Sequence, residues 1–242
     1  MLDERIKPDI RGDKKITLKQ LIADMEDAGT VDLRGDRTLP WLLRVVRTRP
    51  VKDPTLKHAV NMLAAWRRSG AHRIDRDRDG NYDDAEAVRT MDAWWPRLVE
   101  AQFEPKLGDE LYDRVAGTLA DDHNRTDHLG SAFQGAAYGI VAKDLRDALG
   151  AHVRGRYSRV YCGGGKLGKC RGALRDSLRD ALGHMSDAEL YPDGPCELGI
   201  DEHEASAQAC ADSVDYRAVG GITQPRTPWI NRPTFQQAIR VK

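Results

Sequence analysis

The chain has 242 residues, of which 40% are hydrophobic and 31% charged, a composition typical of soluble globular proteins rather than of disordered or membrane-embedded ones. The 38 basic and 38 acidic side chains cancel, so the whole chain has no net field that favours nucleic acid or an anionic membrane. No run approaches the roughly 20 apolar residues that cross a bilayer, and charged residues 3–5 stand where a secretory signal has an apolar run. We therefore expect one or two domains and a start that is cytosolic or internal to a longer precursor.

Helical spacing of apolar residues, together with capping signals, predicts five helices. Thr17 and Gln20 form a capping box that opens the first of them, and Asp53 followed by Pro54 opens the second. The methionines and tryptophans of these apolar stripes are expected in the core rather than against a cofactor. The predicted ranges are 17–29, 53–70, about 84–99 with a kink at Pro96, 131–149 and 171–182.

The last third of the chain is predicted to be less helical. Residues 156–161 have a β-like pattern, and the tail from Ser213 onward has the pattern of short strands and loops. The sequence thus predicts an α+β, mainly α fold, with a helical region over 1–150 and a cysteine-containing region over 151–242. No internal repeat is present.

Residues 75–86 match the calcium loop of an EF-hand at every defining position. Calcium prefers hard oxygen ligands, and Gly80 permits the sharp bend of such a loop. Tyr82 stands where an aliphatic residue is usual and no second loop is present to pair with this one, so a structural role is expected rather than sensing. The alternative is a solvated acidic loop. The predicted ligands are the carboxylates of Asp75, Asp77 and Asp79, the main-chain carbonyl of Asn81, a water held by Asp83, and both oxygens of Glu86.

The four cysteines all lie in the last third and contain no Cys-x-x-Cys pair, which argues against structural zinc. Two disulfides are expected, Cys162 with Cys170 and Cys196 with Cys210, which would require an oxidising compartment; the alternative is four reduced, buried thiols. Residues 163–169 match a phosphate loop up to its lysine, but the next residue is a cysteine, a poor magnesium ligand. A covalently closed glycine turn is therefore favoured over a nucleotide site.

Two further polar clusters carry no clear chemistry. Residues 121–128 contain Asp121, Asp122, His123, Asp127 and His128, but their spacing fits no helical face with two ligands four residues apart, so a polar loop is favoured over a metal cluster. The acidic run 201–204 is expected to be an exposed turn.

Four segments together resemble the C-terminal part of the β subunit of penicillin acylase family enzymes, particularly secreted actinobacterial members. The resemblance covers nearly the whole chain. The segments are Ile16–Asp24 followed by Leu39–Leu43, Leu63–Trp66 followed by Trp94 and Trp95, Cys162–Cys170 continuing into Arg171–Leu178, and Trp229–Gln237.

This resemblance implies an N-terminal nucleophile hydrolase with a four-layer αββα core, to which this chain would contribute helices and returning strands. In such enzymes a precursor cuts itself, and a serine at the new terminus uses its own α-amine as base. The family's oxyanion-hole asparagine and active-site arginine precede the region that this chain resembles, so no catalytic residue is carried onto it. The implied partners are the other α and β segments of the precursor and a small amide substrate, in an extracellular or periplasmic location.

Two features leave alternatives open. Where many family members have Trp-Asp-Gly, this chain has residues 66–70 and then the calcium loop, so the family's own metal site is not transferred to that loop. A non-catalytic, calcium-dependent structural or binding module is therefore the alternative function. Ser131 follows a glycine and is an alternative processing site, but it is expected to cap a helix instead.

Overall fold

The computed structural model describes residues 2–12, 14–120, 137–199, 203–213, 226 and 228. For residues 117–120 and 137 it describes the backbone alone. Over these ranges the protein is mainly helical, as predicted, with one sheet of two short strands. None of the helices in these ranges combines the length and the apolar character needed to span a membrane. The four-layer αββα core and the division at residue 150 stay predictions.

The first two helices are α1 (Leu2–Asp9) and α2 (Leu18–Gly29). The predicted capping box of α2 is confirmed, because the Gln20 amide donates to Thr17 Oγ1 at 3.2 Å and the Thr17 amide donates to Gln20 Oε1 at 3.0 Å. Its apolar stripe is only partly covered, with Leu18 at 39% and Ile22 at 42% exposure. This helix therefore contributes less to the described core than its sequence pattern indicates.

The central helices are α3 (Leu39–Val46), α4 (Pro54–Arg68) and α5 (Ala85–Leu107). A π-helical turn, Arg34–Thr38, leads into α3, a helix that apolar spacing did not predict. Asp53 caps α4 as predicted, since its carboxylate accepts from the amides of Thr55 and Leu56. Helix α5 continues through Pro96 and ends eight residues beyond the predicted Val99; Gly108 separates it from α6 (Asp109–Ala120).

The core lies between α5 and the elements around it, and three tryptophans are fully buried there. Trp94 donates its indole N–H to Ser177 Oγ at 3.0 Å, and Trp66 donates to the His72 carbonyl at 2.9 Å. A buried tryptophan normally needs such a partner for its polar atom. The prediction that these aromatic stripes are core is confirmed.

Helices α7 (Ala137–Ala148) and α8 (Leu167–Leu182) follow, and α8 begins four residues before the predicted Arg171. The predicted β-like stretch 156–161 is wrong, because those residues form a turn and irregular backbone. The Ser158 amide donates to the Gly155 carbonyl, and the Tyr161 amide donates to the carboxylate of Asp144. These acceptors thus satisfy donors that a strand would have given to a ladder.

The remaining elements are α9 (Asp187–Leu190), β1 (Cys196–Leu198), β2 (His203–Ala205) and α10 (Ala207–Ala211). The strands pair antiparallel, with Cys196 opposite Ala205. His203 and Glu204 belong to β2, so the prediction of an exposed turn over 201–204 is wrong for these two residues. The strands predicted after Ser213 lie outside the described residues, apart from isolated positions 226 and 228.

Candidate metal centre

The loop over residues 75–86 connects the region after α4 with the start of α5. Asp75 organises its bend, because its carboxylate accepts from the Asp79 amide at 3.2 Å and from the Gly80 amide at 2.9 Å. Gly80 has φ +87°, a left-handed backbone conformation that residues with a side chain rarely adopt. The Asp83 amide closes the loop by donating to the Ile74 carbonyl at 2.9 Å. The sharp bend predicted at Gly80 is confirmed.

Asp75, Asp77 and Asp83 form an acidic cluster that could hold a metal ion. One carboxylate oxygen from each lies within 4.8 Å of the others. The negative charge of Asp79 and a hydrogen bond with Asp75 raise the pKa of Asp77. Burial raises the pKa of Asp83, but hydrogen bonds from the backbone and side chain of Arg76 outweigh it, so that pKa is lowered. A cluster made only of carboxylate oxygens fits a hard divalent cation such as calcium.

Three of the six predicted ligands lie outside this cluster. The carboxylate of Asp79 accepts from the Asn81 amide at 2.8 Å. Glu86 lies in the first turn of α5 with its side chain 69% exposed, and His58 Nε2 is 3.9 Å from its carboxylate. The structure therefore brings together half of the predicted set.

The loop packs against β2 and the two ends of α10. The Ser206 amide donates to the Gly80 carbonyl at 2.8 Å, and a Cβ built on Gly80 would overlap the carbonyl oxygen of Glu204. Tyr82, which is 5% exposed, donates its hydroxyl to Asp212 Oδ2 at 2.9 Å. The unusual tyrosine of the calcium motif thus anchors the loop to the rest of the protein.

Beneath the loop lies a buried charge cluster that sequence analysis missed. Its five members are 0–1% exposed. Arg34 donates to Asp32 and to Asp92, each at 2.7 Å, and Arg73 pairs with all three carboxylates. These ion pairs and hydrogen bonds offset part of the cost of removing the charges from water. The members are Asp32, Arg34, Arg73, Asp92 and Asp212.

Asp212 is the least compensated member of this buried charge cluster. Burial raises its pKa to about 7, although the charge of Arg73 acts in the opposite direction. Its Oδ1 atom has no hydrogen-bond partner among the described residues. Among the described residues, three carboxylates of the cluster face two guanidinium groups. No sequence motif signals this, because the members come from distant parts of the chain.

The two predicted disulfides are confirmed. Cys162 and Cys170 are bonded with a Cα separation of 4.8 Å, and Cys196 and Cys210 with 5.8 Å, both within the usual range. The first bond joins the 3₁₀ turn Cys162–Gly165 to the first turn of α8.

The geometry around the first disulfide does not favour the phosphate-loop alternative. The amides of Gly164, Lys166, Lys169 and Cys170 donate to carbonyls within the segment 161–166. A phosphate cradle needs such donors free to face the ligand. The covalently closed turn that the sequence favoured therefore describes this segment.

Two predicted sites lie outside the described residues. They are the polar cluster containing Asp121, Asp122, His123, Asp127 and His128, and the alternative processing site at Ser131.

The fold and the sites define a mainly helical protein with two disulfides and a candidate oxygen-ligand metal centre. A family model described as penicillin amidase matches residues 1–204, and the chain therefore belongs to the penicillin amidase family. The resemblance predicted from the sequence is confirmed at the level of the family, whose members are amide hydrolases. No curated protein matches the chain.

Proposed function

We propose that this chain is the C-terminal portion of the β subunit of a penicillin acylase type amide hydrolase. The observation that carries the proposal is the family match over residues 1–204. In this proposal the chain provides helical scaffold, and the nucleophilic serine with its α-amine base comes from other segments of the precursor. The substrate is a small amide, the side-chain amide of a β-lactam, an acyl-homoserine lactone or a lipopeptide. The two disulfides support an extracellular or periplasmic location.

The proposal includes a structural calcium site over residues 75–86, argued from this chain's own residues and not from the family's metal site. The clustering of Asp75, Asp77 and Asp83 within 4.8 Å supports it, and Asp79, Asn81 and Glu86 complete the proposed ligand set. A bound calcium ion would supply the positive charge that offsets repulsion between the carboxylates. The chain's own residues hold the ion and transmit the resulting order to the packed strands through Tyr82 and Gly80.

The test compares two proteins, the product of the natural gene and the 242-residue chain. Chromogenic phenylacetyl and long-chain acyl amides are assayed with both proteins. We expect turnover by the natural gene product, with its N-terminal serine identified by mass spectrometry after processing. Absence of both turnover and processing would contradict the proposal.

The alternative function is a non-catalytic, calcium-dependent structural or binding module. The observation that favours it is the direct contact of the metal loop with Ser206 and Asp212, because a loop held in this way can contribute to stability. A natural gene product that takes up calcium, gains stability from it and hydrolyses no amide would support this alternative.

A further inference from the structure

The described residues of the segment 196–213, namely 196–199 and 203–213, form a unit that we call the disulfide hairpin and that is too small to be stable by itself. It contains two strands of three residues, the five-residue α10 and the Cys196–Cys210 bond. A two-stranded hairpin is marginal in water, and a single helical turn does not form alone. Its order therefore depends on the surfaces against which it packs.

The surface that supports the disulfide hairpin includes the candidate metal loop. Ser206 donates its amide to the Gly80 carbonyl at 2.8 Å, in the middle of the loop. Gln208 donates its side-chain amide to the Ala85 carbonyl at 3.2 Å, at the end of the loop. Both acceptors are main-chain carbonyls of the metal loop. The contact between the loop and the hairpin therefore depends on the loop conformation.

A second connection runs through Asp212, which lies two residues beyond Cys210. Its carboxylate pairs with Arg73, two residues before the loop, and accepts the Tyr82 hydroxyl from within the loop. Because Asp212 is fully buried, withdrawal of these partners would leave a buried carboxyl group without compensation. The buried contact therefore favours one arrangement of loop and hairpin together.

We propose that cation binding by residues 75–86 and the Cys196–Cys210 disulfide are thermodynamically coupled, so that the disulfide controls the affinity of the loop. This inference rests on the proposed calcium site. Reduction by a dithiol breaks the S–S bond and forms two thiols, while the dithiol gives up two electrons and two protons and becomes a cyclic disulfide. Opening the covalent loop releases the hairpin, and the metal loop loses its packing partners.

The coupling is reciprocal. If reduction weakens cation binding by some factor, bound cation must make the disulfide harder to reduce by the same factor. The metal loop and the disulfide would therefore protect each other, and a reducing environment would lower the affinity of the protein for the cation.

The second disulfide provides an internal control. The amide of Cys162 donates to Asp144 of α7 at 2.8 Å, and that of Cys170 donates to the Lys166 carbonyl at 3.0 Å. These contacts are made to α7 and to the glycine turn, not to residues 75–86. Both disulfides lie in one chain and experience the same solution conditions. A difference between the effects of their removal on calcium affinity therefore reports on the packing of the hairpin.

The experiment titrates calcium into the full chain by calorimetry. We compare the oxidised protein, the double variant Cys196→Ser/Cys210→Ser and the control double variant Cys162→Ser/Cys170→Ser. We expect the Kd to rise by at least about tenfold in the first variant, within the usual range of coupling between sites. In the control we expect a change within about twofold, as for distant independent sites. Equal affinities in all three proteins would overturn the coupling alone, whereas no calcium uptake by the oxidised protein would remove the site and the coupling together.

A second variant keeps the test valid if the double variant fails to fold. Tyr82→Phe leaves every proposed ligand and both disulfides in place and removes only the hydroxyl that reaches Asp212. We expect weaker calcium binding and faster reduction of Cys196 and Cys210 by a dithiol, read by maleimide labelling after the dithiol has been removed. Tyr157→Phe, at a side chain 83% exposed, is the matched control and should change neither. Labelling of Cys196 that is unaffected by calcium and by Tyr82→Phe would contradict the proposal.

Discussion

The Tyr82 hydroxyl donates a hydrogen bond of 2.9 Å to Asp212 Oδ2 and so joins the candidate metal loop to the disulfide hairpin through the buried interior. Both side chains are almost completely removed from solvent. Asp212 also pairs with Arg73, which places this contact at the edge of the buried charge cluster. Loop, hairpin and charge cluster therefore form one connected region.

Calcium is expected to stabilise the folded chain through residues 75–86. At a calcium concentration one hundred times its Kd, the free energy of unfolding should rise by about 2.7 kcal/mol, because the ion binds only the folded state. Asp75→Ala and Glu86→Gln should abolish the gain, whereas Glu100→Gln, an exposed change on the same helix as Glu86, should retain it. Urea unfolding with calcium and with a chelator measures the difference. An identical gain in Glu86→Gln would exclude Glu86 from the ligand set.

Tyr82→Phe should lower the free energy of unfolding by about 1–3 kcal/mol even without calcium. The substitution removes one of the partners of a buried carboxyl group whose Oδ1 already lacks a partner among the described residues. Tyr157→Phe, at the exposed surface, should have no measurable effect. Urea unfolding in the presence of a chelator separates this loss from any change in metal binding. A Tyr82→Phe protein as stable as the parent would show that the hydroxyl does not support Asp212.

The stability of the chain should depend on the protonation of Asp212. Burial raises its pKa from 3.8 to about 7 in the folded protein, so the folded state binds more protons than the unfolded state between these values. The stabilisation from the protonated group is fully present below about pH 4 and is lost as the pH rises through about 7. Asp212→Asn, which mimics the neutral carboxyl group, should flatten this slope. Thermal unfolding from pH 4 to 8 measures it; an unchanged slope in Asp212→Asn would assign the dependence to another group.

The Cys162–Cys170 bond should contribute about 2.5 kcal/mol to the free energy of unfolding. The two residues are eight positions apart, and the chain-entropy model gives this value for a loop of that length. Urea unfolding of Cys162→Ser/Cys170→Ser against the oxidised parent measures the loss. Saturable ATP binding by the same variant or by the parent would contradict the closed-turn interpretation and revive the phosphate-loop alternative.

The chain printed here is expected to hydrolyse no amide by itself. An N-terminal nucleophile needs its hydroxyl and its free α-amine on one residue, and the proposed function places that residue in another segment of the precursor. The measurement is release of chromophore from phenylacetyl and long-chain acyl amides, with Ser131→Ala assayed beside the parent. Turnover by the parent that disappears in Ser131→Ala would move the active site to Ser131.

Signals that act over a few residues were predictable from the sequence. Thr17 and Asp53 begin helices as expected, because each side chain bonds an amide two or three residues away. The bend at Gly80 also depends on residues close to it in the sequence. The pairing of Cys162 with Cys170 was also accessible, because only a short glycine-rich turn separates them.

Features that depend on distant parts of the chain were not predictable. Asp32, Asp92 and Asp212 meet at Arg73 although nothing in their local sequence marks them. The wrong prediction of a strand over 156–161 has the same origin, because Asp144, on another element, accepts the backbone donors of Tyr161 and Cys162. The apolar stripe of α2 was recognised correctly, but a stripe does not reveal how much of it the tertiary structure covers.

Gly80 is restricted by two independent requirements, one from its own backbone at φ +87° and one from the neighbouring carbonyl of Glu204, which occupies the space of a side chain. The first requirement belongs to the bend of an ion-binding loop, but the second belongs to the contact with the hairpin. A variant stripped of every acidic ligand would therefore still need glycine at this position for its strands to pack. Glycine here is consequently a poor marker of metal binding in homologous chains, and the carboxylates around it are the residues to compare.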